Sequence, residues 1–166
     1  MRKLGLLLVV LLLSLAACGS SEPMTFEISG PADQTAGPVT ISGEAVDEGM
    51  MCSSAQFERM LFRDMDGNDL TDDEVAQLME LYAETGEKVF SAIVDQFTCI
   101  DGSGSLVLAQ SPLLDESEIN FEGVNEVASW EVESGTDELV GLSGDGMVIL
   151  DFLNGTVTYQ GELTES

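Results

Sequence analysis

The chain contains no histidine. That removes the side chain most enzymes use as a base near neutral pH, and with it the imidazole arm of most zinc sites. Basic residues are nearly as scarce: 5 Lys and Arg stand against 31 Asp and Glu, for a formal net charge of −26. A surface of that sign repels phosphate backbones and anionic head groups, so nucleic acid is excluded as a partner. Cysteine is limited to 3 residues and Trp to 1, and two or three Cys without His are poor zinc ligands. Lys88 adjoins no Ser or Cys motif, and carboxylates are so abundant that no pair stands out as a catalytic couple. The balance favours a protein that is not an enzyme. What is present argues for a fold. Hydrophobic residues make up 44% of the chain, and the acids are interspersed among them, which is not the composition of a disordered acidic tail.

The basic residues are unevenly placed. Arg2 and Lys3 open the chain and precede an apolar run from Leu4 to Ala17 broken only by Gly5 and Ser14. This is a charged n-region and an h-region of signal-peptide length, shorter than the roughly 20 residues a transmembrane helix needs. The run ends in Leu15-Ala16-Ala17-Cys18, which resembles the lipobox of bacterial lipoproteins. The resemblance implies cleavage before Cys18, with diacylglycerol on its sulfur and an acyl chain on its new amino group. The expected organisation is therefore a signal peptide over 1–17, a lipidated Cys and flexible tether over 18–23, and one domain over 24–166. Without residues 1–17, three cations (Arg59, Arg63 and Lys88) face the 31 acids, a net of −28. The expected location is extracytoplasmic, attached to the cell membrane through the lipid alone. Cys52 and Cys99 are then an even pair in an exported chain, and are expected to form one disulfide.

Periodicity assigns most of the domain to strands. Met24, Phe26 and Ile28 alternate with polar residues, and Val39–Ser42 follows a Gly- and Pro-punctuated loop. Residues 54–63 suit helix or strand equally. Thr71-Asp72-Asp73-Glu74 is a capping box, and Val75, Leu78, Met79 and Tyr82 follow at helical spacing. A helix is predicted over 72–85, stopped by Gly86. Strands are expected at 89–100, 105–109, 119–121 and 127–132. A final hairpin turns at Asn154-Gly155, a dipeptide that accepts positive φ at both positions of a two-residue loop. Such a loop sets Phe152 opposite Val157 and Leu150 opposite Tyr159 on one face, with Asp151 opposite Thr158 on the other. The fold class expected is mainly β: a small antiparallel barrel or curled sheet with one inserted amphipathic helix.

Three stretches of the second half belong together. They are Phe97–Ser105, Trp130-Glu131-Val132 with Ser134–Gly146, and Thr158–Leu163. Over roughly 90–163 they are similar to secreted bacterial domains with an allene-oxide-cyclase-like or dirigent-like barrel, which use a Trp strand, a Gly-Thr-Gly turn, an Ala-Gly pair and a Gly-x-Gly strand start. Here Asp137 stands where that pattern carries its second Gly, and Val140 where it carries Ala. The resemblance implies a closed antiparallel barrel of about six to eight strands, in which relatives hold apolar ligands, and it carries over no catalytic residue.

One acidic segment has the look of a cation site. Asp64, Asp66 and Asn68 present oxygens at alternate positions and Glu74 follows, with a helix behind them as in an EF-hand. Glu74 falls one position early, and Asp69 occupies the place of the Gly that makes the sharp turn. The preferred account is an Asx-rich turn leading into a capped helix that already employs Glu74. Calcium is the alternative, and no other cofactor is expected. Trp130 and Tyr159 are expected in the core, with a cavity lining as the other option. The eight Met are scattered and read as core filling.

Together these features point to a lipid-anchored extracytoplasmic β domain acting as a binding or interaction module of the cell envelope. Two further readings stay open: a small-molecule-binding or isomerase-like barrel with an apolar lumen, and a Ca²⁺-binding envelope protein. The partner would be an envelope protein or a small apolar ligand. Replacing Cys18 with Ser should move the protein from the membrane fraction to the soluble fraction with its disulfide intact. Retention of the variant in the membrane fraction would overturn the lipobox reading.

Overall fold

The computed structural model describes residues 22–85, 88–114 and 118–165. Within them the chain forms eight strands: β1 (Met24–Pro31), β2 (Ala36–Ser42), β3 (Ser54–Arg63), β4 (Ala92–Cys99), β5 (Ser105–Pro112), β6 (Val124–Gly135), β7 (Leu142–Asp151) and β8 (Thr156–Glu165). Each pairs antiparallel with the next, and β8 returns to β1 to close the barrel. Closure leaves no free strand edge. The mainly β expectation therefore holds, with a barrel rather than an open curled sheet. A short helix α1 (Glu44–Asp47) follows β2, and α2 (Asp72–Thr85) lies between β3 and β4.

The predicted helix is found at its predicted position. The Thr71 amide and hydroxyl donate to Glu74 Oε2 at 2.9 and 2.7 Å, and the Glu74 amide returns to Thr71 Oγ1 at 3.4 Å. The segment 54–63, open between helix and strand, is β3. Alternation turns Ala55, Phe57 and Arg59 to one side, each opposite an inward residue of β4: Cys99, Phe97 and Asp95. The disulfide Cys52–Cys99, with a Cα separation of 5.9 Å, fastens the entry of β3 to the end of β4.

Two strand assignments from the sequence need correction. Ile119–Phe121 is not a strand: Asn120 and Asn125 fold it into a turn. The Asn120 amide donates to Asn125 Oδ1 (2.8 Å), and Asn120 Oδ1 accepts from the Glu122 amide (3.0 Å). Side chains that satisfy the backbone locally displace the ladder. In the last hairpin Leu150 pairs with Val157 and Val148 with Tyr159, a shift of two residues from the expected register. Asp151 is responsible. Its Oδ1 accepts from the Leu153 and Asn154 amides (3.0 and 3.1 Å) and its Oδ2 from the Asn154 side chain (2.6 Å), which stabilises a four-residue turn. A shift by two preserves which residues face inward. Phe152 leaves the ladder and packs on Phe121, ring centroids 5.2 Å apart.

The barrel has two unlike ends. At the end where β1 begins, the interior is filled by Trp130, Phe26, Leu106, Leu139 and Leu163, all 2% exposed or less. Trp130 meets Phe26 edge to face at 5.8 Å and donates Nε1–H to the Met147 and Gln160 carbonyls (3.1 and 3.2 Å). Its indole needs the paired Gly146 and Gly161: a Cβ at either would lie 2.7 or 2.6 Å from Trp130 Cζ2. Glycine is used here for close approach rather than for flexibility.

Asp137, next to this end, is the one non-glycine residue with positive φ among the described residues, at 53°. It occupies the position where the resembled pattern carries Gly. An L-residue is strained there, though Asp tolerates it better than most. Asp137→Gly is expected to raise stability by up to about 1 kcal/mol, read as a higher urea midpoint at unchanged slope. A lowered midpoint would mean that the Asp side chain stabilises the turn by more than its backbone costs.

Candidate functional site

The other end of the barrel is open. A cavity of about 270 Å³ runs inward from the β1–β2 turn and the described ends of the β5–β6 connection, and is walled by Val127, Val148, Leu150, Val157, Ile93 and Phe57. Its polar groups are Arg59, Gln110 and Tyr159. An eight-stranded barrel is wide enough either to be filled by its own side chains or to leave an internal cavity, and this one is filled at its closed end and keeps a cavity at its mouth.

The inner limit of the cavity is a buried polar cluster centred on Asp95, which is 0% exposed. Strand register sets Asp95 directly opposite Arg59. Arg59 donates from Nε to Asp95 Oδ1 at 3.0 Å and from Nη2 to Oδ2 at 3.5 Å. The Tyr159 hydroxyl donates to Asp95 Oδ2 at 2.7 Å, and the Gln110 amide nitrogen also reaches Oδ2. That nitrogen lies 3.0 Å from the Tyr159 oxygen as well. Among the described residues no buried side-chain polar atom lacks a partner. The Arg59 side chain is still 28% exposed, so part of the guanidinium looks into the cavity. Its carbon lies 5.9 Å from the ring centres of Phe57 and Phe62, which favours the cationic form.

The electrostatics follow from the geometry. Burial pushes the Arg59 pKa down, but the Asp95 carboxylate outweighs it and the net shift is upward. Burial, then the charge of Asp95, hold the Tyr159 phenol well above its ordinary value of 10.0. Arg59 is thus a fixed cation and Tyr159 a fixed neutral donor across any ordinary pH. Neither is poised to exchange a proton near neutrality, so these two side chains are suited to orienting a polar group rather than to general acid–base work.

The residues singled out in the sequence fare unequally. Cys18 lies outside the described residues. Cys52 and Cys99 are joined. Tyr159 reaches the cavity, whereas Trp130 is sealed in the closed end. In the segment 64–74, Asp64 is already employed by its own loop. Its Oδ1 accepts from the Asp66 and Asn68 amides (2.9 and 2.8 Å) and its Oδ2 from the Asn68 side chain (2.9 Å). These donors hold its pKa below the usual carboxylate range. The bonds from Thr71 do the same for Glu74. Asp64, Asp66 and Glu74 do not bring their oxygens together as a ligand group. Among the described residues the grouping of suitable donors is Cys52, Cys99 and Asp101, whose sulfurs are spent in the disulfide. The segment in this conformation is a self-bonded turn, and calcium would have to displace its internal hydrogen bonds. Asp69 instead pairs with Arg63 (3.0 Å), which also holds Glu133 of β6 at 2.7 Å.

Arg59, Asp95 and Gln110 were not singled out in the sequence. The signals were a rare cation at an inward position of an alternating segment, and an acid inside the apolar run Ile93-Val94-Asp95-Gln96-Phe97. Compared with protein-family models, with curated proteins and with solved structures, the chain finds no match.

Asp95→Ala should destabilise the barrel by about 3–5 kcal/mol, because it strands the Arg59 charge and leaves the Tyr159 and Gln110 donors unpaired. Urea unfolding measures this. A loss below about 1 kcal/mol would mean that water replaces the carboxylate and that the cluster does not brace the barrel.

Proposed function

We propose that this chain is an exported, lipid-anchored binding barrel that takes up one small, largely apolar molecule through its open mouth. The observation that carries this reading is the half-filled interior: a packed closed end, and a mouth cavity with apolar walls and a few fixed polar groups. Ligand sites have that character, apolar surface for affinity and a small number of placed donors for orientation. Arg59 supplies the polar contact, since its guanidinium is held rigidly by Asp95 and still has an exposed part. The absence of His and the unsuitability of Tyr159 and Arg59 for proton transfer favour carriage or sensing over conversion.

The anchor fits the same reading. β1 begins at Met24, paired with Leu163 at the closed end, and runs toward the mouth, where Pro31 pairs with Thr156. A lipid on Cys18 would therefore hold the barrel by its closed end, through a tether of at most about 20 Å. The mouth then faces away from the anchoring membrane, and the ligand arrives from the extracytoplasmic space. Acidic side chains at the closed end (Glu44, Asp101, Glu138 and Glu165) favour standing off from anionic head groups.

Isothermal calorimetry with decan-1-ol and decanoate as probes tests the site. Wild-type protein should bind at least one of them at a single site, and Val127→Trp, which fills the cavity from its wall, should weaken binding at least about tenfold. Binding of neither probe, or equal binding by the filled variant, would remove the mouth as a ligand site.

A further inference from the structure

Four residues that line the mouth cavity, Arg59, Ile93, Pro112 and Leu114, also line a second space of about 290 Å³ between α2 and the barrel. Its other walls are Phe62, Phe90, Val89, Met79 and Tyr82, with the Phe62 and Phe90 rings 4.9 Å apart. The helix does not fill this space. No described side chain of α2 is buried, Val75, Leu78 and Tyr82 are half-buried, and Met79 is 50% exposed. An amphipathic helix ordinarily covers its apolar stripe against the core. Here the stripe hangs over an apolar groove that stays open.

The groove also has an unusual charge. Two of the three cations among the described residues line it, Arg59 and Lys88. Arg59 is neutralised by Asp95. Lys88 donates Nζ to the Pro112 carbonyl at 2.9 Å and makes no ion pair with any described carboxylate. In a chain with 31 acids, a lysine that pairs with no described carboxylate beside an apolar groove can receive an anion from outside.

Resting on the binding-barrel reading, we infer that the ligand is an anionic amphiphile bound across both spaces. Its apolar tail occupies the mouth cavity. Its middle passes between Ile93 and Pro112, and its anionic head lies under α2 at the Lys88 ammonium, with Arg59 alongside. The two spaces together reach the size usual for a small-molecule site, about 300–1,000 Å³, which the mouth alone falls just short of. Helix α2 is then the cover of the head-group compartment, and its half-exposed stripe is completed by ligand.

Three ten-carbon probes share a tail and differ in the head: decanoate, decan-1-ol and decyltrimethylammonium. Calorimetry on wild-type protein should rank decanoate first. Lys88→Gln should weaken decanoate about tenfold, the size expected for losing a charge-assisted contact, while decan-1-ol is unchanged. Met79→Glu, at an exposed helix position, should weaken decanoate selectively as well. Melting curves confirm that both variants are folded. If decan-1-ol and decanoate bind but Lys88→Gln leaves their ratio unaltered, the head-group assignment is wrong while the mouth site stands. Tighter binding of the ammonium probe would also overturn it. If neither decanoate nor decan-1-ol binds wild-type protein, the binding-barrel reading itself fails.

Discussion

The ion pair between Arg59 and Asp95 decides how this barrel is built. A fully buried carboxylate is tolerated only with its lone pairs occupied, and Asp95 is met by Arg59, Tyr159 and Gln110 from β3, β8 and β5. The cluster ties distant strands together across the lumen. It also marks where apolar packing stops. Below it lie Phe97, Leu106, Phe26 and Trp130; above it lies the cavity. Removing the pair in favour of well-packed apolar residues could leave stability unchanged, but it would abolish the fixed guanidinium at the mouth.

The closed end solves a different problem with glycine. A single indole spans β6, β7 and β8 because Gly146 and Gly161 face each other beneath it and their backbones approach closely. The disulfide fastens the start of β3 to the end of β4 at the same end, whereas the long excursion carrying the acidic turn and α2 leaves β3 and rejoins β4 at the opposite, mouth end. Crosslinking a span of 47 residues removes about 4 kcal/mol of chain entropy from the unfolded state on the loop-closure estimate. The mouth has no such brace. It is bordered by turns and by a helix none of whose described side chains is buried, which makes it the softer end.

Charge is distributed along the same axis. Arg59, Arg63 and Lys88 all belong to the region of β3, α2 and β4 near the mouth, and each has a distinct use. Arg59 is buried against Asp95, and Arg63 clasps the acidic turn to β6, its pKa raised chiefly by the hydrogen bonds it donates to Glu133. Lys88 is bonded to a backbone carbonyl. In a chain this acidic the three cations are the strongest local departures from the surface average, and two of them, Arg59 and Lys88, line the groove below α2.

The sequence alone determined the features that depend on neighbouring residues. The capping box fixed α2 to the residue, because Thr71 and Glu74 are only three positions apart. Alternation fixed which side chains of β7 and β8 face inward, because strand period does not depend on the partner, whereas β3 was left open between helix and strand. Pairing of Cys52 with Cys99 followed from there being two candidates. Local pattern failed where a side chain competed with the ladder: Asp151 lengthened the last turn by two residues, and Asn120 with Asn125 turned an expected strand into a bend. The candidate site was the least legible part. Arg59, Asp95, Gln110 and Tyr159 are spread over a hundred residues, and each taken singly is a polar residue in a strand. Only closure of the barrel, which brings β8 beside β1 and aims all four side chains at one point, made them a site. Long-range register is a property of the whole sheet, and no stretch of sequence contains it.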